Sequence, residues 1–273
     1  PLPSCYAMID YKVRPLSPEA HLFQVSLVIQ KPSRKGQRVS LPARIPGSYM
    51  IRDFSRNIVS ISAAADGVEL ELKKLDKQTW ELPITDRAIS ITYRVYAWDL
   101  SVRSAHLDAT HGFFNGSSLF LKVEGQDDQA CLVEMLPPEG DAYTEWRLAT
   151  TMTSCGAKPF CFGLYGATDY EELIDHPVEM GHFMDASFEV AGVTHEVVIT
   201  GKHYSDMARI CADLKKICAQ HVAMFGSLPE MERYLFLVMA IGDGYGGLEH
   251  RSSTALICKR DDLPQKHQTK MSE

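Results

Sequence analysis

The chain has 273 residues, 45% hydrophobic and 23% charged, the balance of a globular protein with room for one large domain or two ordinary ones. Its 35 acidic and 28 basic side chains give a formal net charge of -7, and basic runs such as residues 34–38 are short and loop-like. That argues against a nucleic-acid partner, which needs clustered cations, and no apolar stretch approaches the length that crosses a bilayer.

Strand signals fill the first part of the chain. Phe23, Val25, Leu27 and Ile29 alternate with Gln24, Ser26 and Val28, the period-two pattern of a half-buried strand. Residues 68–72 and 89–95 repeat it, the latter with β-branched and aromatic side chains on one face. Further strands are predicted at 119–123, 131–135 and 146–152. Turn-forming clusters at 42–48, 65–67, 115–117 and 137–140 separate them. Many short strands at this spacing predict a β-sandwich or curved sheet.

The character changes after about residue 170. Residues 183–190 and 194–200 read as two strands about the turn Ala191-Gly192. Met207, Ile210, Cys211, Leu214, Ile217, Cys218, His221, Val222 and Phe225 then recur at spacings of three and four. This predicts a helix, with Ser205 or Asp206 as N-cap and Gly226 as stop. The apolar run 234–241, between Pro229 and Gly242, fits a fully buried strand. The fold class is therefore mainly β, with a β domain over 1–171 and a mixed α+β unit over 172–273. The second unit has few elements to enclose its buried strand. It reads as the first part of a longer domain, expected to self-associate through residues 230–258.

Seven cysteines, at 5, 131, 155, 161, 211, 218 and 258, form no CxxC pair, so neither a disulfide framework nor a zinc-finger spacing is present. Cys211 and Cys218, seven apart in the helical pattern, are expected to line one buried face. This usage leans towards a reducing compartment and slightly favours the cytoplasm over the periplasm.

The segment that carries chemistry is 243–254, DGYGGLEHRSST, directly after the buried strand, where loops usually hold binding residues. A phosphate loop is ruled out, because no Lys-Ser/Thr follows the glycines. A nucleophilic Ser252 or Ser253 with His250 as base lacks the GxSxG elbow. A hairpin turn with a solvated Glu249 and His250 stays open on composition alone.

Gly246, Gly247, Leu248, Glu249 and His250, with Ser253-Thr254, resemble the substrate-binding segment of the M61 glycyl aminopeptidases, in the place of Gly-x-Met-Glu-Asn in the related M1 enzymes. The resemblance extends, in order, to Ile45-Pro46-Gly47-Ser48-Tyr49, Phe113-Phe114-Asn115-Gly116 and Asp175-His176-Pro177-Val178-Glu179-Met180-Gly181. It implies a β-sandwich followed by the start of a thermolysin-like catalytic domain, and a peptide substrate with a free N-terminus. Glu249 matches the position that holds the substrate's α-ammonium group by a charge-assisted hydrogen bond. Gly246 and Gly247 would let a peptide backbone lie alongside. Glu179 is a second candidate carboxylate for the same amine. His250 either orients Glu249, contacts a transition-state oxyanion or is structural.

The family's zinc is held by HExxH on a helix, with its Glu as general base. The 273 residues contain no HExxH; the nearest dipeptide, His195-Glu196, sits in a strand pattern without a second histidine four positions on. His106 and His111, five apart in a β region, make no helical metal pair. The expectation is thus zinc in the full-length protein, and neither zinc nor hydrolysis in these residues alone. The alternative is a binding or adaptor protein that kept the peptide loop without the metal.

Overall fold

The computed structural model describes residues 9–266. They fall into two compact units that divide after Gly181. The fold is mainly β, with a mixed α+β second part, as the sequence implied.

The first unit is built on an eight-stranded sheet whose middle comprises Ile9–Ser17, Leu22–Ile29, Ile89–Tyr96 and Ile58–Ala65, in that spatial order. Its register explains its core. Phe23, Val25, Leu27 and Ile29 face Val95, Tyr93, Ile91 and Ile89 across the antiparallel pair, and all eight are buried. Ile9, Tyr11 and Val13 extend the same face from the neighbouring strand. Cys131–Met135, predicted to the residue, pairs in parallel with Ile9–Ser17. Asp66 and Gly67, both at positive φ, close the hairpin from Ile58–Ala65 into Val68–Leu70. This is the two-residue geometry that matches strand twist.

Three predicted strands are shorter than their patterns. Of 68–72 only Val68–Leu70 is strand, and of 146–152 only Arg147–Ala149. In 119–123 only Lys122–Val123 pairs. The apolar run Leu119, Phe120 and Leu121 is fully buried but irregular, because three tyrosines take over its backbone. Tyr11 Oη donates to Leu121 O at 2.6 Å and Tyr170 Oη to Phe120 O at 2.7 Å. Tyr93 Oη donates to Leu119 O and accepts from Leu121 N at 3.0 Å. Side-chain hydroxyls thus meet the need for satisfied buried backbone groups that a ladder would otherwise meet.

The boundary lies beyond the compositional change near Glu171, because the segment after it belongs to the first unit. Val178–Gly181 is a buried strand between His111–Phe114 and Arg147–Ala149 in a four-stranded sheet. The short helix Tyr170–Ile174 leads into it, with Asp169 as N-cap accepting from Glu172 N at 2.7 Å. The Glu172 carboxylate reaches back to Thr168 N at 2.6 Å and to its hydroxyl. The nearby imidazole of His176 and these Thr168 contacts outweigh partial burial and hold the Glu172 carboxyl down at about 2. A carboxyl depressed in the folded state stabilises above its unfolded value, and that contribution is lost as pH falls towards the folded one. Wild type should therefore lose more stability than Glu172→Gln between about pH 4.5 and 2, as urea titrations would show. Equal acid limbs would mean that Glu172 carries no such linkage.

The second unit is a five-stranded sheet in the order Phe183–Val190, Val193–Thr200, Arg233–Ile241, Ser253–Lys259, Gly246–Glu249. Ala191 and Gly192, both at positive φ, make the expected turn between the first two strands. The next pairing is parallel and needs a crossover, supplied by the helix Met207–Phe225. Asp206, not Ser205, is its N-cap, accepting from Arg209 N at 3.1 Å, and Gly226 ends it at φ 85°. Its apolar stripe packs Met207, Ile210, Cys211 and Leu214 against Val197, Ile199, Val238 and Ala240. The expected buried face holds for Cys211 but only partly for Cys218, because the stripe outruns the sheet. Ile217, Met224 and Phe225 are exposed.

Candidate functional site

The glycine-rich segment forms the outermost strand of the second sheet. Gly246–Glu249 runs antiparallel to Ser253–Lys259, with Leu248 opposite Ala255 and Glu249 opposite Thr254. A tight turn closes this hairpin, with His250 N donating to Ser253 O at 2.8 Å. The period-two alternation of a strand then separates the side chains. Leu248 is buried and roots the strand, whereas Glu249 is exposed and His250 half-buried. Thr254 Oγ1 donates to Leu248 O at 3.3 Å, tying the two strands behind the carboxylate.

Only one glycine of this loop needs a left-handed backbone. Gly244 has φ 149°, and a Cβ there would lie 2.5 Å from Ile241 Cδ1. Gly247 lies in the strand itself, where a Cβ would come within 3.3 Å of Leu256 Cδ2. Its lack of a side chain keeps the backbone flat against its neighbour and the outer side low.

Glu179, the other candidate carboxylate, stands in the first unit. It is on the strand Val178–Gly181, 1% exposed, and is not a solvated loop residue. Across the sheet His106, Phe113 and Glu179 stand opposite one another in adjacent strands, so all three project on one face. His111, two residues before Phe113, shares that face. The result is a cluster: His111 Nδ1 lies 2.8 Å from Glu179 Oε1, and His106 Nε2 lies 2.9 Å from Asp108 Oδ2. The two imidazoles stand 5.1 Å apart, and Trp98 stacks on His106 at 4.9 Å. Burial would lower the His111 pKa, but the Glu179 carboxylate and then Asp108 outweigh it and raise it. Burial would raise Asp108, yet hydrogen bonds from His106, Thr110 and the His111 backbone hold it well below the carboxylate range.

Helical spacing is the wrong test for His106 and His111. They sit on the two arms of a tight hairpin, Ala105–Leu107 and His111–Phe114, which brings them together at a separation of five. Period-two alternation plus a turn at 108–110 is the sequence signal that finds them.

The other motif segments hold the fold. Pro46 and Gly47, at φ 81°, are the central residues of a turn closed by Ser48 N to Ile45 O at 3.0 Å. Asn115 is buried and donates through Nδ2 to Val102 O at 2.6 Å. A Cβ on Gly116 would lie 2.8 Å from Ile174 Cα, so only glycine fits there. His195 is 2% exposed in its strand, stacked on Phe188, with Nδ1 2.9 Å from Val193 O. Glu196 pairs with Arg233 at 2.7 Å. This dipeptide is core packing and an ion pair, not a metal site.

Residues 10–182 match the peptidase M61 N-terminal domain. No curated protein matches the chain. Among solved structures it is similar to an aminopeptidase N family protein from Idiomarina loihiensis, at 43% identity and a TM-score of 0.92. That match covers 97% of this chain and 45% of the relative, so the chain spans less than half of the relative's length. An M1 zinc metallopeptidase from Deinococcus radiodurans shares 11% identity at a TM-score of 0.55, covering 91% of this chain and 59% of its own. Aminopeptidase A from Legionella pneumophila, in complex with aspartic acid, shares 10% at 0.53, covering 91% and 30%. At these identities the last two show a common fold alone.

Proposed function

The chain belongs to the peptidase M61 family, and we propose that it is the substrate-anchoring portion of a zinc aminopeptidase releasing small N-terminal residues, glycine or alanine, from peptides. The observation that carries this reading is the outermost strand Gly246–Glu249, rooted by buried Leu248 and presenting exposed Glu249. An outermost strand is where an extended peptide adds by main-chain hydrogen bonds. A carboxylate at its end meets the one group that distinguishes a chain's first residue, the α-ammonium. Gly246 and Gly247 put no side chain in the way of the peptide's first residue.

Glu179 fits the anchoring role less well. A carboxylate this buried, with His111 as partner, would have to exchange that contact for the amine.

The family's HExxH zinc motif is not present among the residues described. Their one His-Glu dipeptide joins a buried His195 to a Glu196 paired with Arg233, so the motif's ligands and general base are assigned to none of these residues. No step of the hydrolysis is therefore assigned to this chain beyond binding and orienting the peptide.

The test is release of glycine or alanine from short peptides by the full-length protein and by residues 1–273, each with and without a metal chelator. The full-length protein should be active and chelator-sensitive, and residues 1–273 inactive. A full-length protein that binds peptides without cleaving them would replace this reading with the adaptor alternative.

A further inference from the structure

We propose that His106, Asp108 and His111, in the first unit, form a binding site for a divalent transition-metal ion of the zinc type. One potential ligand atom from each lies within 4.8 Å of the others. Two imidazole nitrogens and one carboxylate oxygen are a donor set that suits zinc and its neighbours over magnesium or calcium.

The surroundings prepare each donor. Asp108 Oδ1 accepts from Thr110 N at 2.7 Å, Thr110 Oγ1 at 2.6 Å and His111 N at 3.0 Å, which fixes the carboxylate in the hairpin turn. Its Oδ2 is left to face His106 Nε2 at 2.9 Å. A metal between those two atoms would replace the proton they share. Glu179, accepting from His111 Nδ1–H, sets the tautomer that leaves Nε2 with its lone pair. This is the carboxylate–histidine arrangement that orients metal ligands. Stacking on Trp98 holds the His106 ring in place.

The distances set what must move. Ligand atoms around tetrahedral zinc lie about 3.4 Å apart, given bonds near 2.1 Å. The His106–Asp108 edge, at 2.9 Å, would open by about half an ångström to admit the ion, and no other edge exceeds 4.8 Å. The Asp108 and His111 side chains are 28% and 13% exposed, so an ion can enter and water can complete its coordination.

The competing reading is a pair of metal-free ion pairs, His106 with Asp108 and His111 with Glu179. Calorimetric titration of zinc chloride into chelator-treated chain separates the two. One equivalent should bind to wild type, and His106→Gln should abolish it. Glu179→Gln should weaken it by roughly 10–100-fold, the scale for losing a carboxylate behind a ligating histidine. Absent binding, or stoichiometric binding retained by a folded His106→Gln, overturns the site. Should that variant fail to fold, X-ray absorption at the zinc edge of the wild-type complex decides. Scattering from two imidazoles supports the site, and a shell without imidazole refutes it.

Discussion

Replacing Glu249 with glutamine in the full-length enzyme should weaken recognition of a free N-terminus by about 2–5 kcal/mol, read as a loss in kcat/KM on glycyl and alanyl peptides. The size follows from what the peptide does to Glu249. In the structure the side chain is exposed, and an exposed pair with a cation would contribute only about 0–1 kcal/mol. A peptide laid along Gly246–Glu249 covers the carboxylate and desolvates both charges, and truncating one partner of such a pair leaves the other buried without compensation. Glutamine keeps the shape and one acceptor oxygen, so the loss measures charge rather than packing. A drop below about 1 kcal/mol would place the ammonium in solvent and Glu249 outside the anchoring role. An adaptor that binds through the first unit would show no change at all.

Much of this arrangement was legible in the residues. Period two in 23–29 and 89–95 located the core face of the large sheet, because alternation reports a surface buried on one side only. The helix and its Gly226 stop followed from spacing and a positive-φ terminus. The glycine-rich segment was placed by its residues and by resemblance. Its position as outermost strand was not, because strand order depends on pairings distant in sequence, such as Leu237 with Ala255.

What stayed hidden has a common cause. Leu119–Leu121 has the composition of a strand, but tyrosines 26 to 110 residues away claim its carbonyls. No strand pattern around Glu179 stands out in the sequence, yet Val178–Gly181 is an inner strand of a four-stranded sheet. His106 and His111 match no helical spacing, and only the pairing of Ala105–Leu107 with His111–Phe114 brings them together. In each case a contact between strands overrode the local signal, as expected where packing on a sheet decides a residue's environment.

The second large effect is structural and acts on the anchoring strand from a distance. Gly201→Ala should destabilise the second unit by roughly 2–6 kcal/mol, the sum of backbone strain and overpacking. Gly201 has φ 100°, and a Cβ there would lie 2.3 Å from Ala240 O. That carbonyl belongs to the strand Arg233–Ile241, which pairs in parallel with both neighbours and cannot shift without disturbing two ladders. Gly192→Ala is the matched control. Its φ is 76°, yet nothing lies within 4 Å of the added carbon, so it should cost only about 1–2 kcal/mol, the left-handed conformation alone. The three tryptophans, 80, 98 and 146, all lie in the first unit, so fluorescence would miss the event. Hydrogen exchange of the amides of Val197, Val198 and residues 235–240 would detect it. Faster exchange there in Gly201→Ala, with Gly192→Ala near wild type, is the expected result. Ala240 stands directly before the loop that delivers Gly246–Glu249, so Gly201→Ala should also impair peptide anchoring without touching Glu249. Equal exchange in the two variants would mean that the strand yields to the extra carbon, and anchoring should then survive as well.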